Sequence, residues 1–215
     1  GGPVHFENIP NNPLLKPGSL SFLHQAATGG EMLKNKTFKS TMEAFNYGGS
    51  DAVLVDMLGL TEMSGLTHAC VPGKNSIGTI GDPISCVADI VVDPKSLDGS
   101  ETGKKVKLTE VPIGETGLLL TRGPSMLLRY YDNPVETNKV FIYDENGNEW
   151  YNTGDLVYRT GYTEKEVKFS GRIKRNFVSA YDNIYPEQVE ELLTSLEEIE
   201  EAVVTKVPDD QCQFL

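Results

Sequence analysis

The chain has 215 residues, of which 39% are hydrophobic and 23% are charged, a composition typical of folded globular proteins rather than disordered ones. Nineteen Lys and Arg residues against 31 Asp and Glu residues give a net charge of −12, which opposes binding to nucleic acid and to anionic membrane surfaces. A pocket for a small anion is still allowed, because salt screens the distant field within about 10 Å.

The cysteines Cys70, Cys86 and Cys212 are odd in number and widely separated, without the close spacing of a zinc site. We therefore expect three reduced thiols and a cytoplasmic protein. No segment reaches the roughly 20 apolar residues of a membrane helix, and residues 1–7 lack a signal-peptide pattern. Membrane insertion is not expected.

The first third of the chain predicts a β-α-β unit. Residues 3–18 are rich in Pro, Asn and Gly and predict a loop. Residues 20–27 predict a strand that ends at the turn Thr28-Gly29-Gly30, and residues 51–58 predict a second, buried strand. Between them an apolar helical spacing predicts a helix that stops at two glycines, its apolar positions being Phe38, Met42 and Phe45.

Residues 70–170 are predicted to be mostly β-structure, because short apolar or β-branched runs alternate with Gly, Pro, Asn and Asp. The runs 88–92, 117–121 and 139–143 predict strands, and an Asn-Gly pair predicts a turn within 144–148. After Lys174 a helix is predicted to begin at Pro186, with apolar residues at helical spacing, and a strand is predicted over 202–207.

Two loops of the predicted α/β unit have residue types suited to a nucleotide. Gly29, Gly30 and Glu31 allow a flat ligand to approach the backbone, although for this motif taken alone a plain βα turn is the favoured explanation. After the second strand, Gly59-Leu60 leads to Thr61 and Glu62, a hydroxyl for a phosphate oxygen beside a carboxylate for Mg²⁺. The alternative for this pair is a helix cap.

Two later motifs suit a ribose. Residues 151–155 predict either a tight hairpin turn or a strand end at which Asp155 accepts hydrogen bonds from two ribose hydroxyls. Residues 171–174 predict a turn in which Arg172 can reach a ribose or a phosphate. Lys174 stands where the sequence pattern changes, as at a hinge between domains.

The order and spacing of these motifs resemble those of the adenylate-forming enzymes, which include acyl-CoA synthetases, peptide-synthetase adenylation domains and luciferases. The resemblance covers residues 20–208. The matching segments are Gly29-Gly30-Glu31, Gly59-Leu60-Thr61-Glu62, Gly114-Glu115-Thr116-Gly117, Arg122-Gly123-Pro124, Tyr130-Tyr131-Asp132-Asn133-Pro134 with Thr137, Tyr151-x-Thr153-Gly154-Asp155, Gly171-Arg172-Ile173-Lys174 and Pro186-Glu187-Gln188-Val189-Glu190.

The resemblance implies ATP-dependent activation of a small-molecule carboxylic acid. The carboxylate attacks the α-phosphorus, pyrophosphate leaves with the help of Mg²⁺, and the acyl group of the adenylate passes to the thiol of CoA or of a phosphopantetheine carrier. It also assigns roles to residues of this chain: adenine contact to Gly29, Gly30 and Glu31, cofactor binding to Gly59, α-phosphate binding to the catalytic Thr61, Mg²⁺ binding to the catalytic Glu62, ribose contact to Asp155 and Arg172, and the hinge to Lys174.

The implied architecture mixes α/β and β parts. Residues 1–68 would end a large α/β subdomain, 69–173 would form a β-barrel-like subdomain, and 174–215 would begin a small α+β domain. The family's phosphate loop is expected upstream of Gly1 and its catalytic lysine beyond Leu215, so we expect a fragment with negligible turnover by itself.

Two departures from the family pattern keep alternatives open. Leu58 stands where the family usually has an aromatic residue that stacks on adenine, and residues 178–181 replace the usual basic segment after the hinge. One alternative is an adenylate-forming enzyme that uses an amine or a carrier protein as acceptor. The other is a non-catalytic nucleotide-binding or interaction module.

Overall fold

The computed structural model describes residues 1–30, 33–71, 73–76, 78–100, 103–179, 182–196 and 198–206. The helices are α1 (Pro3–Glu7), α2 (Asn35–Tyr47), α3 (Pro134–Val140) and α4 (Pro186–Thr194), with short 3₁₀ turns at Thr61–Met63 and Pro94–Leu97. The strands are β1 (Gln25–Gly29), β2 (Val53–Leu60), β3 (Gly65–Ala69), β4 (Asp82–Pro83), β5 (Ala88–Val92), β6 (Lys105–Val106), β7 (Gly117–Arg122), β8 (Phe141–Asp144), β9 (Glu149–Arg159), β10 (Val167–Arg172), β11 (Phe177–Ser179) and β12 (Asp182–Ile184).

The predicted β-α-β unit is confirmed, because β1 and β2 pair in parallel on either side of α2. In this four-stranded sheet, ordered β1-β2-β3-β4, the helix packs through Phe45, only 1% exposed, with Leu54 of β2 in the same core. The strand predicted from residue 20 begins only at Gln25. Leu20 and Leu23 lie in turns, where their side chains pack against the α2 core.

The prediction of a loop over residues 3–18 is wrong for its first part, where α1 forms a single helical turn. Pro3 occupies the start of α1, where its fixed φ suits a helix and its missing N–H is not needed. Phe6 is buried against the α2 core, and Thr41 of α2 donates a hydrogen bond to its carbonyl oxygen. Tertiary contacts therefore stabilise α1.

The second sheet has six strands, in the order β5-β7-β9-β8-β6, and β10 pairs with the later part of β9, from Asp155 to Arg159. Its central strand β7 is buried on both faces: Leu118 and Leu120 join one hydrophobic cluster, and Leu119 joins another. The predictions of strands at 88–92 and 117–121 and of a turn at 144–148 are confirmed. The mixed α/β and β fold class is confirmed as well.

The strand predicted over 139–143 begins only at Phe141, because Lys139 and Val140 belong to α3. Pro134 stands at the start of α3, and the side chain of Asn133 accepts a hydrogen bond from the backbone N–H of Glu136. This cap satisfies an otherwise unpaired donor of the first turn. The helix has no buried residue, so apolar spacing gives no signal for it.

The segment 151–155 is neither a hairpin turn nor a strand end, because it lies inside the long strand β9. The pairing register between β7 and β9 shifts there, from Leu118 opposite Leu156 to Leu120 opposite Asn152. Gly154 has a φ of +72° at this bulge. Residues typical of a hairpin turn therefore form a bulge here, within the continuous strand β9.

The chain after Lys174 forms a small hairpin of β11 and β12 and then the predicted helix α4. The strand predicted over 202–207 is wrong for 202–206, which have no regular structure, and residue 207 lies outside the described residues. Leu192 of α4 is 69% exposed and Val203 is 82% exposed, so this apolar sequence has no layer to pack on within the described part of the chain.

Candidate nucleotide site

A cavity of about 880 Å³ opens beside the bulge of β9. It brings together residues that are far apart in the sequence: Glu62 after β2, Tyr130 before α3, Tyr151 of β9, Arg172 at the end of β10, and Lys174 in the following turn. Glu62, Arg172 and Lys174 were predicted as site residues, and the structure places all three on this one cavity. We call it the nucleotide cavity below.

The carboxyl group and the backbone carbonyl of Glu62 each accept a hydrogen bond from the segment before α3. The hydroxyl of Tyr130 donates a hydrogen bond to Oε1 of Glu62 over 2.9 Å, and the backbone N–H of Leu127 donates to the carbonyl oxygen of Glu62 over 2.7 Å. The backbone N–H of Tyr130 in turn donates to Oγ1 of Thr137 in α3. The segment before α3, itself held by α3, thus fixes the orientation of Glu62.

The tyrosine hydroxyls around Glu62 remain protonated at neutral pH. Burial, together with the hydrogen bond to Glu62, raises the pKa of Tyr130 above its ordinary value. Burial, with the nearby Tyr130 and Glu62, raises the pKa of Tyr151 as well. Neither tyrosine was assigned a role from the sequence, since nothing in residue spacing shows that Tyr130 reaches Glu62.

Asp155 is the most deeply buried charged group beside the cavity, with no exposed surface. Nε of Arg172 lies 2.7 Å from its Oδ1, an ion pair, but no described residue donates a well-oriented hydrogen bond to either carboxylate oxygen. Burial raises the pKa of Asp155 to about 6, against the opposing charge of Arg172. A buried carboxylate in this state has unused acceptor capacity.

Arg172 connects this buried carboxylate to the cavity. Its side chain is 51% exposed, lines the cavity, and donates a hydrogen bond to the carbonyl oxygen of Thr153 over 3.3 Å. β9 and β10 are paired so that Arg172 stands directly opposite Asp155. The predicted pair of Asp155 and Arg172 is therefore brought together by sheet register.

The glycines predicted to contact adenine line a different and shallower pocket, of about 390 Å³, at the ends of β1 and β2. A Cβ at Gly29 would lie 2.6 Å from the carbonyl oxygen of Met57, and a Cβ at Gly59 would lie 3.1 Å from that of Gly65. Both glycines thus allow close strand approach. Gly30, with a φ of +95°, ends the strand, and Glu31 lies outside the described residues.

Thr61 and Lys174 have exposed side chains. Thr61 opens the 3₁₀ turn directly after β2, and its carbonyl oxygen accepts the backbone N–H of Ser64. In the sequence, Thr61 stands between Gly59, which lines the shallow pocket, and Glu62, which lines the nucleotide cavity. Lys174 lies in the turn that follows β10.

An ion-pair cluster next to Lys174 ties α4 to β10. Arg175 contacts Oε1 of Glu187 over 2.9 Å and Oε1 of Glu190 over 2.7 Å. Glu187 packs so closely on the end of β10 that a Cβ at Gly171 would lie 2.4 Å from its Oε2. Residue spacing assigns no role to Arg175, because its partners lie 12 and 15 residues further along the chain.

Residues 2–131 match the family model of the AMP-binding enzymes. The chain belongs to the AMP-binding enzyme family. It is 32% identical to a long-chain-fatty-acid–CoA ligase of Bacillus subtilis over 97% of its own length. The resemblance to adenylate-forming enzymes is thereby confirmed.

Solved structures show the same fold for this AMP-binding chain. The structure of ATP-bound MatB from Rhodopseudomonas palustris covers 98% of the chain with a TM-score of 0.80 at 21% identity. That of the anthranilate–CoA ligase AuaEII with anthranoyl-AMP covers 98% with a TM-score of 0.77, also at 21% identity. The chain spans 33% of the Bacillus ligase and 38% of MatB, about a third of each.

The curated relatives of this chain are acid–thiol ligases and include CoA ligases and a fatty acid–[acyl-carrier-protein] ligase of Mycobacterium marinum. Within the described residues, no helix has the length and apolar character needed to cross a bilayer.

Proposed function

We propose that this chain is the nucleotide-holding part of an AMP-binding ligase that activates a carboxylic acid with ATP and transfers the acyl group to the thiol of CoA. Family membership supports the reaction type. The geometry of the nucleotide cavity supports the assignment of individual residues.

The observation that carries the proposal is the state of Asp155. Its two oxygens are buried and accept no well-oriented hydrogen bond from a described residue, while Arg172 extends from the same point into the cavity. Oδ1 has only the ion pair with Arg172, and Oδ2 has no partner among the described residues. Leaving a buried acceptor unpaired costs roughly 1–3 kcal/mol, so Oδ2 favours a bound donor. Vicinal ribose hydroxyls supply two donors at suitable spacing, and Arg172 would contact the same ribose.

Glu62 would contribute one ligand to Mg²⁺. The described residues contain no cluster of three His, Cys, Asp or Glu that could hold a metal alone. This donor set fits Mg²⁺ brought in by a nucleotide, because that ion is usually held by one or two carboxylates plus phosphate oxygens and water. Bound there, Mg²⁺ would neutralise the charge of the departing pyrophosphate.

The remaining residues are proposed in supporting roles. Thr61 would donate its hydroxyl to the α-phosphate, and Gly29, Gly30, Glu31 and Gly59 would let adenine approach the ends of β1 and β2. Lys174 would be the hinge at which a small domain, beginning there, rotates between adenylation and thiol transfer. The carboxylate of the acid would attack the α-phosphorus, and pyrophosphate would leave.

Calorimetry tests the role of Asp155 by changing the ribose of the ligand and the side chain at position 155 separately. Wild-type chain and the Asp155→Asn variant are each titrated with AMP and with 2′-deoxy-AMP and 3′-deoxy-AMP. We expect the affinity of wild type to fall about tenfold when the ribose hydroxyl bonded to Asp155 is absent from the ligand. The affinity of Asp155→Asn should fall little when the same hydroxyl is absent. Asp51→Asn, a change at an exposed aspartate, is the matched control.

Equal preference for the ribose hydroxyls in wild type and Asp155→Asn would contradict the role of Asp155. For the acceptor, the full-length protein is assayed for AMP release with CoA, with a phosphopantetheine-loaded carrier protein and with an amine. Release that requires CoA supports the proposal, and release that is stimulated only by the carrier or the amine contradicts it.

A further inference from the structure

A second cavity, of about 350 Å³, lies between α2, β2 and the loop that follows β3. We call it the α2 cavity. Its walls are mostly apolar and include Leu33, Phe38, Met42, Val53 and Leu54. It shares no lining residue with the nucleotide cavity, and no step of the proposed function uses it. Its volume is that of a site for a small molecule.

Four polar side chains line the α2 cavity: Asn35, Asp56, Cys70 and Asn75. Asn35 donates its Nδ2 to Oε1 of Glu191 over 2.9 Å, and the other three are neighbours through the backbone. The N–H of Cys70 donates to the carbonyl oxygen of Asp56 over 2.8 Å, and the N–H of Val71 donates to Oδ1 of Asn75 over 2.9 Å. The apolar walls therefore surround a small cluster of polar groups.

Asn75 has one unused donor. The side chain is only 7% exposed, and its Oδ1 is engaged by Val71, which fixes the orientation of the amide. Nδ2 is buried and has no hydrogen-bond acceptor within the described part of the chain. A buried N–H donor without an acceptor is unfavourable, so this atom indicates a ligand oxygen or an ordered water in the cavity.

Asp56 supplies the complementary group. Its Oδ1 accepts the backbone N–H of Met57 over 2.9 Å, and the carboxyl group has further acceptor capacity. Burial raises its pKa to about 7, more than the hydrogen bond from Met57 lowers it. Near neutral pH the carboxyl group is therefore partly protonated, and both of its forms can pair with an amide.

We propose that the α2 cavity binds a short neutral amide, whose carbonyl oxygen accepts from Nδ2 of Asn75 and whose N–H donates to the carboxyl group of Asp56. The apolar chain of the ligand would lie against Phe38 and Met42. A carboxylate ligand would satisfy Asn75 but be repelled by ionised Asp56. An ammonium ligand would pair with Asp56 but leave Nδ2 without an acceptor.

The probes are hexanamide, hexanoate and hexylamine, which share one chain length and differ in the head group. Each is titrated into the 215-residue chain near neutral pH and followed by calorimetry. We expect hexanamide to bind most tightly, by about tenfold over the two charged probes. Tightest binding of hexylamine or hexanoate overturns the proposal, and so does the absence of binding by all three, which would mean that the cavity holds water only.

Two variants locate the binding. Asn75→Asp keeps an oxygen for the N–H of Val71 but replaces the Nδ2 donor by an acceptor, and it should weaken hexanamide binding at least about tenfold. Asn12→Asp makes the same change at an exposed asparagine whose Oδ1 likewise accepts a backbone N–H, from Leu14, and should leave binding unchanged. Phe38→Trp, which enlarges a wall residue, should also weaken binding.

Alkylation of cysteine gives an independent readout that does not depend on a variant. Cys70 lines the cavity and is 7% exposed, whereas Cys86 is exposed. Bound hexanamide should slow the alkylation of Cys70 by iodoacetate, measured on its peptide by mass spectrometry, and leave Cys86 unaffected. Hexanamide binding without protection of Cys70 would place the amide elsewhere and overturn the proposal.

Discussion

The hydroxyl of Tyr130 donates a hydrogen bond of 2.9 Å to Oε1 of Glu62, and it links the segment before α3 to the turn after β2. Tyr130 is therefore a positioning residue for the proposed Mg²⁺ ligand. We expect Tyr130→Phe to weaken Mg²⁺-dependent ATP binding about fivefold, because Glu62 loses the partner that orients it. AMP binding without Mg²⁺ should change little.

Calorimetric titration of ATP over a series of Mg²⁺ concentrations checks this expectation. Tyr162→Phe removes a hydroxyl from a tyrosine that is 64% exposed and is the matched control. If Tyr130→Phe weakened AMP and ATP equally at every Mg²⁺ concentration, the tyrosine would be acting on the nucleotide rather than through Glu62.

A buried polar cluster joins the two large sheets. Nε2 of His68 in β3 lies 3.5 Å from Oδ2 of Asp89 in β5, and Nη1 of Arg159 in β9 lies 2.8 Å from the same oxygen. Burial alone would raise the pKa of Asp89, but the hydrogen bond from His68 and the charge of Arg159 outweigh it and hold the pKa below its usual value. The ionised carboxylate thus stabilises the fold.

Because the folded-state pKa of Asp89 is lowered, its stabilising contribution is present in full above the unfolded value near 4 and is lost as the pH falls through the lower folded-state value. Asp89→Asn should lower the free energy of unfolding at neutral pH by about 3 kcal/mol, since Arg159 would remain partly buried without its partner. Urea unfolding at several pH values measures both effects. An equal loss in Asp98→Asn, at an exposed aspartate, would show that the cluster has no special role.

Much of the fold could be predicted from local pattern. Helix α2 and strands β5 and β7 follow apolar spacing that their own residues contain, so their positions were predicted correctly. Strand β9 could not be predicted through its bulge, because Asn152 and Gly154 are typical turn residues. Partner strands β7 and β10 keep that segment extended, and their pairing is not visible in the local sequence.

The candidate site, too, could be predicted only in part from the sequence. The order of motifs was enough to predict the family and to name the residues expected around a nucleotide. The contact of Tyr130 with Glu62 and the unused acceptor capacity of Asp155 depend on tertiary structure, which residue spacing does not contain. The roles of the individual site residues stay predictions until nucleotide binding is measured.

Asp56 should make the protein more stable as the pH falls from about 8 towards 5. Burial raises its folded-state pKa to about 7, so the folded protein binds a proton there that the unfolded chain, with a value near 4, releases. The contribution of the protonated group is complete below the unfolded pKa and is lost as the pH rises through the folded pKa.

Asp56→Asn should flatten this dependence of stability on pH and raise the free energy of unfolding at pH 8, by about 2 kcal/mol. Thermal unfolding at matched pH values measures both, and an unchanged slope would contradict the assignment.

Arg175 should determine how firmly α4 is held on β10. Its guanidinium bridges Glu187 and Glu190, and Oε1 of Glu190 also accepts the backbone N–H of Val204 over 2.8 Å. We expect Arg175→Gln to speed amide hydrogen exchange in α4 by about fivefold, since the pair is partly exposed and contributes roughly 1 kcal/mol. Arg175→Lys, which keeps the charge but cannot contact both carboxylates through two nitrogens, should give an intermediate rate. Exchange in β7, an interior strand of the second sheet, provides the internal reference. Equal acceleration in β7 and α4 would mean that the variant destabilises the whole fold rather than releasing α4.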